Sequence, residues 1–195
     1  MGPGGNTSAR VGDTVYMKAS GVSFEEAVPM DYVGVDVNTK KMVDGVKKPT
    51  CEIDMHLICY KVRKDVGAVV HTHPIYATAY AMQDKPMKQF TPDFTAIICS
   101  DIAWLPFMMP SSPDTAGRVG EVIKNHNALL IKNHGLVTVG KNLKEAYYRT
   151  LLVEDSIKTY FIATMMGNMT FFPEDIRKAI DNSDFEDYRR KLLKK

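Results

Sequence analysis

The stretch GAVVHTHP, residues 67–74, constrains this chain more than any other. The sequence has five histidines, and two of them, His71 and His73, stand at the end of an apolar run. In a β-strand successive side chains point to opposite faces, so positions two apart share a face. Both imidazoles therefore project the same way. Each ring nitrogen that is buried needs a hydrogen-bonding or metal partner, and two adjacent rings double the need. A bound metal and a fully satisfied polar core both answer it, and the pattern alone leaves the two open.

The surrounding pattern alternates strands and helices. Gly4 to Arg10 reads as a turn feeding a strand, Thr14 to Lys18 as a second strand, and Ala19-Ser20-Gly21 as a tight turn. Tyr32 to Val37 alternates as a strand, with Asn38 to Lys41 as its hairpin turn. After Pro49 the period changes. Met55, Leu57, Ile58 and Val62 fall on a helical face, with Thr50 placed to cap the first turn and Glu52 inside it. A strand over Ala68 to His73 follows, then a helix from Pro74 through Tyr76, Ala79 and Met82.

Farther on, Ala96 to Cys99 carries a strand signal and Asp114 to Lys124 a helix. Ala128 to Val139 reads as two apolar strands joined across Asn133-His134-Gly135. Leu143 to about Met166 is the longest helical pattern, with Ala146, Tyr147, Thr150, Val153 and Ile157 on one core-facing stripe. Residues 173–195 are expected to form a C-terminal helical tail of one or two short, loosely packed helices. The 195 residues fit one domain, 1–195, with no linker or internal repeat dividing them.

Composition excludes several function classes. A formal net charge of +2 is too small to argue for nucleic acid. The basic residues alternate with acidic ones except at Arg189, Arg190, Lys191, Lys194 and Lys195, which read as a solvated helix end. No apolar run approaches a membrane span and no leader pattern opens the chain, so a cytoplasmic protein without membrane contact is expected. Cys51, Cys59 and Cys99 are odd in number and lack CxxC spacing, which points to reduced thiols rather than a disulfide framework or a structural zinc cluster.

Three features carry chemistry: HTH at a strand end, NHG in a hairpin turn, and Glu52 at the start of the helix before the first of these. Three imidazoles and a carboxylate suit zinc in a four-coordinate site. No local motif fixes where His134 lies relative to His71 and His73.

The segments GGNTSAR, KASGVSFEE, PTCEIDMHLICYKVRKDVGAVVHTHPIYATAYA and ALLIKNHGLVTVGKNLKEAYY, in this order, closely resemble the class II aldolase family, which includes L-fuculose-1-phosphate aldolase and L-ribulose-5-phosphate 4-epimerase. The resemblance runs from about Gly4 to Tyr160. It implies a compact three-layer α/β fold, with a mainly antiparallel central sheet flanked by helices. It also implies a homotetramer with active sites at subunit interfaces and a small sugar phosphate as substrate. His71, His73 and His134 match the family's zinc-binding histidines, one Zn²⁺ per chain. Glu52 matches the residue that is both fourth ligand and catalytic acid/base. The related epimerases typically carry aspartate there, so the resemblance favours an aldolase; an epimerase or a non-catalytic scaffold of the same fold is the alternative.

Asn6, Ser20 and Gly21 match the family's anion-binding turns, and Thr50 with Cys51 matches its pair of serines. Cys51 thus stands where a hydroxyl donor is usual. Relatives also carry a helical segment ahead of the glycine-asparagine turn, which this chain is expected to lack. The remaining candidates read more plainly. His56 is expected to be packed or partly exposed rather than a ligand, and His126 to lie in an exposed loop; Tyr76, Phe90, Phe94 and Trp104 are expected to fill core positions, the alternative for any one of them being the substrate-facing aromatic that relatives supply from a neighbouring subunit. Asp93 reads equally as a turn residue or a second acid.

Overall fold

The structure, a computed structural model, describes residues 4–83 and 87–193. The described residues contain eight strands and seven α-helices, in the order β1 (Asn6–Val11), β2 (Thr14–Lys18), β3 (Tyr32–Asp36), β4 (Met42–Asp44), α1 (Ile53–Val62), β5 (Ala68–Thr72), α2 (Ile75–Ala81), α3 (Pro92–Ile98), β6 (Ala103–Leu105), α4 (Pro113–Ile123), β7 (Ala128–Ile131), β8 (Gly135–Gly140), α5 (Leu143–Met166), α6 (Glu174–Asp181) and α7 (Asp184–Leu193). The strands form one sheet in the order β4-β3-β2-β1-β5-β8-β7-β6. Every pair is antiparallel except β6 with β7. The mainly antiparallel α/β sheet expected from the sequence is therefore present.

Strand parity sorts the core into two layers. Val69 of β5, Val137 and Val139 of β8, and Leu129 and Ile131 of β7 pack with Leu57 of α1 and Val119 and Ile123 of α4. Leu130 and Leu136, one position out of phase, pack with Ala77 of α2, Phe94 of α3 and Val153 and Ile157 of α5. Burial of a leucine or valine side chain contributes about 1.5–3 kcal/mol, so slipping β5 or β8 by one residue would exchange the two layers at prohibitive cost. The parity that places Val69 toward α1 also directs His71 toward α1.

Four local readings are corrected. Ala96 to Cys99 is not a strand: the segment lies in α3, where the Thr91 hydroxyl accepts from the Phe94 N–H, Pro92 occupies the first helical position, and Cys99 ends the helix at φ 55°. The cap and the proline outweigh the β-branched Ile97-Ile98 pair. The strand next to β7 is β6, which is only three residues long. Thr50 does not cap the first turn of α1. Glu52 is the N-cap residue, and the Thr50 hydroxyl accepts from the Glu52 N–H at 3.2 Å.

Third, Tyr147 is 49% exposed and leaves the core stripe of α5. Arg149 is buried in that helix instead, its guanidinium donating to the Ile97 and Val139 carbonyls and to Glu145. Fourth, Asp93 lies in the first turn of α3 and pairs with Arg189 at 2.7 Å. Arg190 likewise pairs with Asp181 and Asp187, so neither arginine is a free basic head. Lys194 and Lys195 lie outside the described residues. Among those described, no helix is long and apolar enough to cross a membrane.

Candidate metal centre and active site

Three adjacent strands bring the site together. β1 and β8 flank β5, and the register sets His71 opposite Asn6 on one side and opposite Val137 on the other. His73 falls just past the end of β5. His134 occupies the turn between β7 and β8, where Asn133 takes φ 53°. The hairpin therefore returns His134 to the end of β5 that carries His71 and His73. α1 starts on the same side of the sheet, which brings in Glu52.

Close backbone approach holds the turn against β5. A Cβ on Gly135 would sit 2.6 Å from the Thr72 carbonyl oxygen and 2.6 Å from Cδ2 of His73. Gly135→Ala is expected to cost about 1–3 kcal/mol, the usual penalty of overpacking, and to displace His73. Thermal denaturation with metal analysis of the purified variant checks this; an unchanged melting temperature with full metal content would contradict it.

One ligand atom from each of His71, His73 and His134 lies within 4.8 Å of the others. Glu52 completes the group, with Oε2 3.3 Å from His71 Nε2 and Oε1 3.5 Å from His134 Nε2. The Nε2 atoms of His71 and His73 face each other at 3.1 Å. His71 Nδ1 lies 3.0 Å from the Leu136 carbonyl oxygen, which can only accept, so it carries the proton and its Nε2 presents a bare lone pair. Zinc–ligand bonds of about 2.0–2.2 Å at tetrahedral angles put ligand atoms roughly 3.3–3.6 Å apart. The two Glu52–imidazole separations lie at that spacing. Glu52 Oε1 is also buried without a hydrogen-bond partner. The donor set fits a divalent metal that prefers nitrogen and oxygen ligands.

Electrostatics favour the same form of the site. Burial pushes the His71 imidazole down to about 3, against the opposing pull of Glu52. Burial and then the neighbouring His134 also lower His73. Burial by itself would raise the Glu52 carboxyl, but His71, the Asn6 amide, His134 and His56 outweigh it and hold it below its ordinary value. Neutral imidazoles beside an ionised carboxylate are the forms that ligate metal. His73 is exposed while His71 is fully buried, so the cluster is open to solvent on one side.

The other expected site residues fall in two places. An isolated bridge joins Ala19 to Pro49, and the Ser20 N–H donates to the Lys48 carbonyl. This sets the Ser20-Gly21 turn beside Thr50 and Cys51. Ser20, Gly21 and Cys51 are exposed, and Thr50 is buried. Asn6, expected at the anion-binding turn, is engaged elsewhere: its Nδ2 donates to Glu52 Oε2 at 2.9 Å, and its Oδ1 lies 2.5 Å from His56 Nε2.

Two further residues lie beside these groups: Lys18, which sequence reading did not consider, and His56, which is packed as expected. Lys18 is buried beside the Ser20 turn, donating to the Val22 carbonyl with its ammonium 5.1 Å from the Phe24 ring centre. His56 is fully buried in contact with Asn6, and burial pushes it down to about 4. Its spacing of four residues from Glu52 is the sequence signal that ties it to the site.

Comparison with known proteins agrees with this geometry. Residues 1–161 match the family described as Class II Aldolase and Adducin N-terminal domain. L-fuculose phosphate aldolase of Methanococcus maripaludis is 35% identical over 162 residues, covering 83% of this chain and 87% of the relative. 5-Deoxy-D-ribulose 1-phosphate aldolase of Bacillus thuringiensis is 30% identical over 178 residues, covering 89% and 82%. A solved structure of L-fuculose 1-phosphate aldolase superposes with a TM-score of 0.86 at 27% identity, covering 96% of this chain and 87% of that one. Sheet order, the histidine cluster and these likenesses agree, and the chain belongs to the class II aldolase family of carbon–carbon lyases.

Proposed function

We propose that the protein is a zinc-dependent aldolase that cleaves a ketose 1-phosphate, with Glu52 as proton-transfer group and His71, His73, His134 and Glu52 as metal ligands. The observation that carries the reading is the convergence of three imidazoles and one ionised carboxylate at an open end of the sheet. The proteins compared above are aldolases of L-fuculose phosphate, 5-deoxy-D-ribulose 1-phosphate and L-fuculose 1-phosphate, and cleavage of a ketose 1-phosphate between C3 and C4 releases dihydroxyacetone phosphate. A zinc ion bound there supplies Lewis-acid stabilisation of enediolate charge, worth several kcal/mol in such sites.

The chain's own residues do the rest. The paired turns at Ser20-Gly21 and Thr50-Cys51 receive the phosphate through hydroxyl and backbone N–H donors. In condensation the ionised Glu52 removes a proton from the hydroxymethyl carbon; in cleavage the C4 hydroxyl gives up its proton to solvent as the C3–C4 bond breaks, and Glu52, then in its protonated form, gives a proton to the carbon left by the departing aldehyde. Glutamate rather than aspartate at this position supports an aldolase over an epimerase. The test is a screen of ketose 1-phosphates for release of dihydroxyacetone phosphate by metal-analysed protein. Absence of release from every substrate by fully zinc-loaded protein would overturn the reading.

Cys51 makes a separate expectation. A thiol is a weak donor, so Cys51→Ser adds a hydroxyl where phosphate is received and should lower KM for the phosphorylated substrate roughly 2- to 10-fold, the worth of one modest hydrogen bond. Steady-state kinetics read it, and a KM that rises would place the phosphate elsewhere. Assembly as a homotetramer follows the family. It is supported by the exposed apolar side chains of Ile75, Phe161, Met165 and Met166 on α2 and α5. Light scattering should give a particle of about four times 21.8 kDa. The three free cysteines support a reducing compartment, the cytoplasm.

A further inference from the structure

A buried chain of hydrogen bonds runs from Glu52 into the core, and the proposed reaction uses only its first link. Asn6 Nδ2 donates to Glu52 Oε2 at 2.9 Å; Asn6 Oδ1 meets His56 Nε2 at 2.5 Å; His56 Nδ1 meets Ser8 Oγ at 2.7 Å; Ser8 Oγ meets the Tyr60 hydroxyl at 2.7 Å. Two periodicities build it. Asn6 and Ser8 are two apart on β1 and share a face, while Glu52 and His56 are four apart along α1. The helix side chains interleave with the strand side chains. All five residues are 6% exposed or less.

The direction of every bond is fixed from one end. An ionised carboxylate only accepts, so Asn6 must present its NH₂ to Glu52 and its carbonyl oxygen to His56. That oxygen needs a donor, which sets the proton of the neutral imidazole on Nε2. Nδ1 then accepts from the Ser8 hydroxyl, and Ser8 accepts from Tyr60. The opposite Asn6 orientation would place an amide oxygen against the carboxylate.

We propose that His56 is a positioning residue for Glu52: its Nε2–H holds the Asn6 side chain in the one orientation whose amide donates to the carboxylate. This rests on the reading of Glu52 as the proton-transfer group. Removing the imidazole leaves the buried Asn6 oxygen without its donor. The amide is then free to turn, and Glu52 loses the contact that fixes its Oε2.

The probe is dihydroxyacetone phosphate in D₂O, whose C3 proton exchange is followed by NMR with zinc-loaded protein. His56→Leu is expected to lower kcat for exchange roughly 10- to 100-fold, the scale of a small misplacement of a reacting group, with KM and zinc content nearly unchanged. His56→Gln, which restores an amide donor, should recover most of the rate. In the Glu52→Gln background, His56→Leu should bring no further loss. A second readout needs no turnover: nitrogen-15 histidine spectra should show His56 as the Nε2–H tautomer, and should still show it in Ser8→Ala, because the Asn6 oxygen sets it.

A rate unchanged in His56→Leu, or additive losses in the double variant, overturns the role of His56. An Nδ1–H tautomer in the parent protein overturns it as well. Near-parent exchange in Glu52→Gln strikes instead at the reading of Glu52. If His56→Leu does not fold, His56→Asn, whose shorter polar side chain stops short of Asn6, carries the kinetic test: a fall in kcat at constant KM supports the proposal, and an unchanged kcat rejects it.

Discussion

Glu52→Gln is expected to lower turnover by roughly two to four orders of magnitude, the usual range for loss of a general acid/base, while leaving most of the bound zinc in place. The substitution is nearly isosteric, so the steric environment of the three imidazoles is preserved. Asn6 Nδ2, 2.9 Å from Oε2, still finds an acceptor if the new amide turns its oxygen toward it. What is lost, on the proposed role of Glu52, is the ability to take a proton from carbon and give it back. Rate and binding should therefore separate. An inhibitor that mimics the enediolate should still bind the variant, because its oxygens would take the place of the Glu52 side chain at the metal. Steady-state turnover, metal analysis and inhibitor titration on one preparation read all three quantities. Loss of zinc together with activity would make Glu52 chiefly structural, and near-parent turnover would place the base elsewhere.

The second large effect concerns the metal. His71→Ala and His134→Ala should each reduce bound metal from about one ion per chain to nearly none, with loss of aldol cleavage, since each removes one of the three proposed nitrogen ligands. The two differ in their effect on the fold. His71 is fully buried and its Nδ1–H serves the Leu136 carbonyl, so His71→Ala also opens a space in the sheet and removes that donor. His134 lies in a turn and is partly exposed, so its removal should leave the metal-free melting temperature close to that of the metal-free parent. A chelator should lower the melting temperature of the parent toward that value, because an ion that binds only the folded chain stabilises it. Full metal occupancy in both variants would reject the assignment.

Much of the local structure could be read from sequence because it obeys short-range rules. The alternation of Thr14 to Lys18 marked β2, the apolar period after Leu143 marked α5, and the Asn133-His134-Gly135 turn marked the β7–β8 hairpin. Short-range signals also misled. In Ala96 to Cys99 the β-branched residues obscured the Thr91-Pro92 helix start, and in α5 a stripe drawn by periodicity took in the exposed Tyr147 and passed over the buried Arg149.

For the site, sequence by itself determined that His71 and His73 project to one side, because strand parity is a property of the backbone alone. It could not determine what they meet. His134 stands 61 residues beyond His73 along the chain, and only the antiparallel pairing of β5 with β8 returns it to the same end of the sheet. The family resemblance joined these segments without giving the contact. Nor could sequence order show that β1 enters between β2 and β5, setting Asn6 opposite His71 and Ser8 under His56. Those neighbours are chosen by burying Val69, Val137 and Leu57 in one layer and Leu130 and Leu136 in the other, a condition satisfied by the whole sheet at once and by no single segment.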